Sequence, residues 1–153
     1  MISLPSCKNW KLSEMGLFMR KIKVVMITSY FDRNGVTSQV MNYATNLDKD
    51  RFQVFIAAGE PYDIGYEKMC QENNIELCKL PQKQKNAYAY YRTIYSYLKK
   101  VRADIVHVHG SSALITVELL IAMLAGVPVR VSHSHNTICS HPLLHQVLKS
   151  ILK

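Results

Sequence analysis

The sequence is short of several things, and each shortage narrows what the chain can be. It has four cysteines, Cys7, Cys70, Cys78 and Cys139, with no CxxC pair among them. Nothing suggests a secreted, disulfide-stapled scaffold, so free thiols in a reducing cytosol are expected. Met1 to Lys21 has no apolar core of the length a signal peptide needs. Leu4-Pro-Ser-Cys7 echoes a lipoprotein cleavage box, but too few residues precede it to form the hydrophobic segment. No apolar run reaches the ~18 residues of a membrane span. The nearest, Ala113 to Ala125, is interrupted by Glu118 and reads as a buried helix. There is no P-loop, no full GxGxxG, no internal repeat and no low-complexity segment. Acidic residues are scarce: 11 against 19 Lys and Arg, a formal charge of +8. Such a balance favours anionic partners such as phosphates, nucleic acid or an acidic membrane face, or else serves only as a solubilising surface.

What is present fits one globular domain. Hydrophobic residues make up 48% of the 153 and charged residues 20%, enough apolar material for a sizeable core. Residues 1–20 have no periodicity and are expected to form a poorly ordered extension; Met19-Arg-Lys-Ile-Lys23 looks like a natural start. From residue 21 onward strand and helix patterns alternate five times. Strands are expected at Ile22 to Tyr30, Phe52 to Ala58, Ile75 to Leu80, Ile105 to His109 and Val129 to His133 or a little beyond. Between them, Val36 to Leu47, Tyr66 to Asn73 and Ala87 to Arg102 have helical spacing, and an apolar helix ends near Gly126. On the third helix Tyr91, Ile94, Tyr95, Leu98 and Val101 form the expected buried stripe, which favours core packing over a stacking platform for nucleic acid. A last amphipathic helix begins at His141. This alternation predicts an α/β fold, a Rossmann-like doubly wound parallel sheet of about five strands in the order 3-2-1-4-5. Its switch point falls between strands one and four.

Ligands in such folds bind beyond the carboxyl ends of the strands, and two sets of residues are expected there. Asn34-Gly35-Val36-Thr37 follows the first strand and opens a helix. Gly35 has no Cβ to keep a ligand from the backbone, the amides of a helix start suit a phosphate, and the Thr37 and Ser38 hydroxyls could add donors. By itself such a turn is also an ordinary strand–helix connection. The second set is His107-Val-His109-Gly110-Ser111 and His133-Ser-His135-Asn136. Residues i and i+2 share a face of a strand, so each histidine pair points one way. His107, further inside, reads as a core imidazole, whereas His109 and His135 lie at strand ends. The recurrence of His-x-His also raises a metal site, as in a metal hydrolase. Against it, a sheet separates side chains of its two faces, and no carboxylate stands beside either pair. No metal is assigned.

Read together, these stretches resemble the N-terminal domain of family 4 glycosyltransferases, bacterial enzymes of capsule, exopolysaccharide and lipopolysaccharide assembly. The resemblance is carried by Asn34-Gly35-Val36-Thr37, Val40-Met-Asn-Tyr-Ala-Thr-Asn-Leu47, Arg51-Phe52, Ala103-Asp-Ile-Val-His-Val-His-Gly110 and, most specifically, Ala125-Gly-Val-Pro-Val-Arg-Val-Ser-His-Ser-His-Asn136. It covers about residues 20–153. Asn34 stands where the family commonly has the first of two glycines. The resemblance implies half of a GT-B architecture, with residues 21–153 as the acceptor-side domain. It also implies a nucleotide sugar as donor substrate, no cofactor, and a glycan or polyprenyl-phosphate-linked acceptor. In that frame Asn34, Gly35, Val36 and Thr37 would line the cleft near the donor. His135 would touch the transferred sugar as the catalytic residue, and His109, Gly110, Ser111, His133 and Asn136 would border the substrate. The donor-binding domain would lie outside these residues, on a separate chain or a longer one, so that the chain alone is expected to be inactive. A cytoplasmic location is expected, with peripheral contact at an anionic inner membrane face and no nucleic-acid partner. The alternative is a Rossmann-like nucleotide- or phosphate-binding module without chemistry.

Overall fold

The computed structural model describes residues 20–110 and 115–135. The N-terminal extension, Ser111, Asn136, Cys7, Cys139 and the helix expected from His141 lie outside the described residues.

Five parallel strands form one sheet: β1 (Ile22–Thr28), β2 (Phe52–Gly59), β3 (Glu76–Leu80), β4 (Ile105–Gly110) and β5 (Val129–Ser134). Four helices connect them: α1 (Gly35–Asn46), α2 (Ile64–Glu72), α3 (Ala87–Val101) and α4 (Ile115–Leu124). The strand order is β3-β2-β1-β4-β5, the expected doubly wound arrangement with its switch point between β1 and β4. Val25, Met26 and Ile27 are almost wholly buried, because the central strand is covered on both faces.

The alternation of β-strand side chains divides the core in two. On one face Val25, Ile27, Val106 and Val108 pack with Tyr90, Ile94, Tyr97 and Leu98 of α3 and Ala122 of α4. On the other, Val24, Met26, Ile56 and Ala58 pack with Val40, Met41 and Ala44 of α1 and Cys70 of α2. The odd-numbered residues of β4, including His107 and His109, therefore share the α1 face.

Local chemistry sets the helix ends. The Asn34 side chain accepts the Thr37 amide at 2.8 Å and caps α1. Asp63 and Asn86 do the same for α2 and α3. Asn74 (φ 55°), Arg102 (φ 54°) and Gly126 (φ 81°) turn the chain after α2, α3 and α4.

Two expectations are corrected. The buried aromatic positions of α3 are Tyr90 and Tyr97, not Tyr91 and Tyr95. Tyr97 sets its ring edge-on to Phe55 and its hydroxyl against Glu76 at 3.2 Å. The helix α4 is not wholly buried: among the described residues it sinks Ala122 and Glu118 and leaves Leu120, Met123 and Leu124 uncovered. The Glu118 carboxylate takes the Lys83 ammonium at 2.7 Å, with Lys83 also lying over the rings of Tyr90 and Tyr91. No helix among the described residues is long and apolar enough to cross a membrane.

Candidate functional site

The register of three strands assembles the site. Thr28 of β1 pairs with His109 of β4, and His109 pairs with His133 of β5. In a parallel ladder paired residues point to the same face, so His107, His109, His133 and His135 converge on the side covered by α1. Ring centroids lie 4.0 Å apart for His107 and His109, 5.0 Å for His109 and His133, and 4.5 Å for the stacked pair His133 and His135. Nδ1 of His109 and Nε2 of His135 are 3.2 Å apart, a hydrogen bond whose direction the tautomers set. The amide of His135 donates to the Gly110 carbonyl at 2.9 Å and holds the chain to β4 just past the end of β5.

The depths of the histidines differ from expectation. His109 is the fully buried imidazole, at 1% exposure, while His107, His133 and His135 are half-buried. The reason is α1, which lies over the carboxyl end of β4 and sets Tyr43 with its ring 6.0 Å from those of His107, His109 and His133. The Tyr43 hydroxyl accepts from Gln39 at 3.2 Å. Burial, reinforced by the neighbouring imidazoles, pushes the His109 pKa down to about 3. Burial also lowers those of His107 and His135. All three are neutral at pH 7, and a neutral imidazole both donates and accepts.

At the same rim, the turn into α1 presents backbone. Gly35 is exposed, and a Cβ built there would meet nothing within 4 Å. Asn34 holds the Thr37 amide and donates its own amide to the Asp32 carbonyl. Among the described residues no partner takes the amides of Gly35 and Val36, which remain the open donors at the positive end of α1. The hydroxyls expected to help are already engaged. Thr37 is fully buried and its hydroxyl donates to the Tyr30 carbonyl at 3.2 Å; the Ser38 hydroxyl bonds the Asn34 carbonyl at 2.9 Å and the Tyr66 hydroxyl at 2.7 Å. The structure thus joins His109, Gly110, His133 and His135 through register and hydrogen bonds, sets Gly35 and Val36 in the turn beyond the same carboxyl edge of the sheet, and turns Thr37 inward. Tyr43 was missed by sequence reasoning. Its signal was there, since residues 36, 40, 43 and 44 share one side of a helix. A separate groove of about 590 Å³, lined by Arg20, Lys23, Lys99, Arg102 and Asp104 among others, lies at the opposite, amino end of the sheet.

A 3-2-1-4-5 parallel sheet flanked by helices defines a Rossmann-like domain, of the fold that forms one half of a GT-B enzyme. The chain belongs to glycosyltransferase family 4: the sequence model of Glycosyltransferase Family 4 matches residues 33–153. It is 30% identical over 117 residues to the putative glycosyltransferase EpsF of Bacillus subtilis, a match covering 75% of this chain and 30% of that protein. Among solved structures it resembles MurG of Acinetobacter baumannii with a TM-score of 0.59 and 17% identity, over 85% of this chain and 39% of the other. It also resembles the C-terminal domain of a hydrogenase from Pyrococcus furiosus with a TM-score of 0.51 and 16% identity, over 74% of this chain and 92% of the other. At those identities both likenesses are of fold alone. The chain spans about a third of the length of the curated relative and of MurG.

Proposed function

We propose that the chain is the acceptor-side domain of a sugar transferase that moves a sugar from a nucleotide donor to a glycan or polyprenyl-phosphate-linked acceptor in cell-surface polysaccharide assembly. One observation carries the reading: the His109–His135 pair and the open amides at Gly35 and Val36 stand at the same rim of the sheet. The two groups have complementary tasks. Amides at a helix start hold negative charge, here the donor phosphate from which the sugar departs. The His135 imidazole, half-exposed and neutral, donates to a hydroxyl of the transferred sugar, and its bond to His109 fixes the tautomer and the ring orientation. The buried His109 thus positions His135 and does not itself touch substrate. His133, Gly110, Ser111 and Asn136 border the acceptor.

The donor nucleotide needs a second domain, in the same longer polypeptide or on a partner chain. The expected location is cytoplasmic, with the enzyme working at the inner membrane face when the acceptor is a lipid phosphate. The experiment is a transfer assay with labelled nucleotide sugars and polyprenyl-phosphate-linked acceptor, run with this chain alone and with a donor-domain polypeptide added. Transfer is expected only in the second case and is expected to fall at least tenfold in His135→Ala. Robust turnover by the chain alone, or an unaffected His135→Ala, contradicts the reading.

A further inference from the structure

His107, His109 and His133 each offer one ring nitrogen, and these atoms lie within 4.8 Å of one another. Two stand two residues apart on one strand; the third is the register partner of the second on the next strand. The separation of side chains by the two faces of a sheet is therefore no obstacle here: parallel register puts both histidine pairs on one face. Bonds of ~2.0–2.1 Å from nitrogen to zinc place ligand atoms of a tetrahedral site roughly 3.4 Å apart. The observed spacing closes to that by movements of about an ångström per ring, within the reach of side-chain torsions.

A second observation points to a ligand independently. His109 is 1% exposed, its Nδ1 faces His135 at 3.2 Å, and its Nε2 is buried with no hydrogen-bond partner among the described residues. A buried polar atom left unpartnered costs on the order of 1–3 kcal/mol, so an occupant that satisfies it is favoured. With the proton on Nδ1 and donated to His135, the Nε2 lone pair is free to bind a cation. An imidazole whose other nitrogen is hydrogen-bonded is the usual form of a metal-ligating histidine. The three ligands are all nitrogen, which suits zinc and its neighbours and disfavours magnesium, calcium and manganese.

We propose that His107, His109 and His133 form a binding site for zinc or a similar divalent transition-metal ion, with His135 as the outer partner that orients His109. The ion ties the edge strand β5 to β4. Its fourth coordination position is open to water or to a ligand oxygen. The site is defined by these side chains alone and stands whether or not the domain takes part in sugar transfer.

The test is a titration of the full chain with Co²⁺, followed by displacement with Zn²⁺. One ion per chain is expected, with the intense visible absorption of four-coordinate cobalt, lost when zinc is added. Zinc is also expected to raise the melting temperature, and a chelator to reverse the rise. His133→Ala and His107→Ala, at half-buried positions that tolerate truncation, are each expected to weaken binding by more than tenfold. His135→Ala is expected to weaken it by about 10–100-fold, the usual effect of losing an outer partner. The double variant His141→Ala/His145→Ala removes the remaining histidines of the chain and is expected to leave binding unchanged. A weak six-coordinate cobalt spectrum overturns the proposal. So does affinity that survives loss of His133 and His107, or that follows His141 and His145. If one alanine variant fails to fold by circular dichroism, the wild-type cobalt spectrum and the double variant still decide.

Discussion

Lowering the pH from 8 to 5 should destabilise the domain through His109. Its pKa is held at about 3 by burial and by the surrounding imidazoles, against an ordinary 6.5. Between those values the unfolded chain binds a proton that the folded chain refuses. The contribution is therefore fully present above pH 6.5 and is lost as pH falls toward the folded value. The loss grows by about 1.4 kcal/mol per pH unit and reaches about 2 kcal/mol at pH 5. His107 and His135, lowered by burial as well, add to it in the same direction. Asp104, whose pKa is lowered by its hydrogen bond to Arg20 despite partial burial, acts only below its ordinary 3.8 and does not enter this window. For a domain of this size about 2 kcal/mol is roughly 4–8 °C in Tm, or about 1 M in urea midpoint at a slope of about 2 kcal/mol per M. Urea unfolding at half-unit pH steps is the assay, in metal-free buffer. His109→Gln, which cannot titrate, should make the profile shallower, leaving the part due to His107 and His135, whatever its effect on stability at pH 8. A wild-type stability that is level from pH 7 to pH 5, or a slope that His109→Gln leaves intact, refutes the reasoning.

Other outcomes follow from single contacts. Asn34→Ala removes the cap of α1 and should cost about 1 kcal/mol in chemical denaturation, while Asn34→Gly should cost only a few tenths. Lys83→Met strands the Glu118 carboxylate, buried at 3% side-chain exposure. Burial alone would lower the Lys83 pKa, but the hydrogen bond and charge of Glu118 outweigh it and raise it. Breaking that pair should cost about 3 kcal/mol, and Lys83→Met/Glu118→Leu should recover most of the loss, as a thermal melt of both variants would show. Gly59→Ala drives a Cβ into the Ser29 carbonyl oxygen. The backbone must shift, so a loss of about 1–3 kcal/mol is expected by urea titration.

The strand order was legible because each apolar run is followed by a helix pattern, and right-handed crossovers leave few ways to lay five such units down. The stripe of α3 was legible in period but not in phase. Tyr88, Tyr90, Tyr91, Tyr95 and Tyr97 place aromatics around most of that helix, and only tertiary packing selects Tyr90 and Tyr97. That His109 and His133 would stand at the carboxyl edge of the sheet could be read from the strand ends. The depth of His109 could not, because it depends on where α1 lies over β4. Nor could the shared face of the histidine pairs, because it depends on the pairing of His109 with His133 across two strands. Asn34 looked like a departure from a glycine turn; its capping role was available from residue type alone and was overlooked. Glu118 was read only as an interruption, since its partner Lys83 lies 35 positions earlier in the chain.

If Gly35 and His135 meet substrate at one rim, as proposed, Gly35→Ala is the most direct test. A Cβ there touches nothing within 4 Å of the protein, so stability should stay within about 0.5 kcal/mol of wild type. Transfer is measured with the donor-domain polypeptide present. An intact fold with transfer reduced at least tenfold is expected; an intact fold with transfer unchanged would contradict the proposed function.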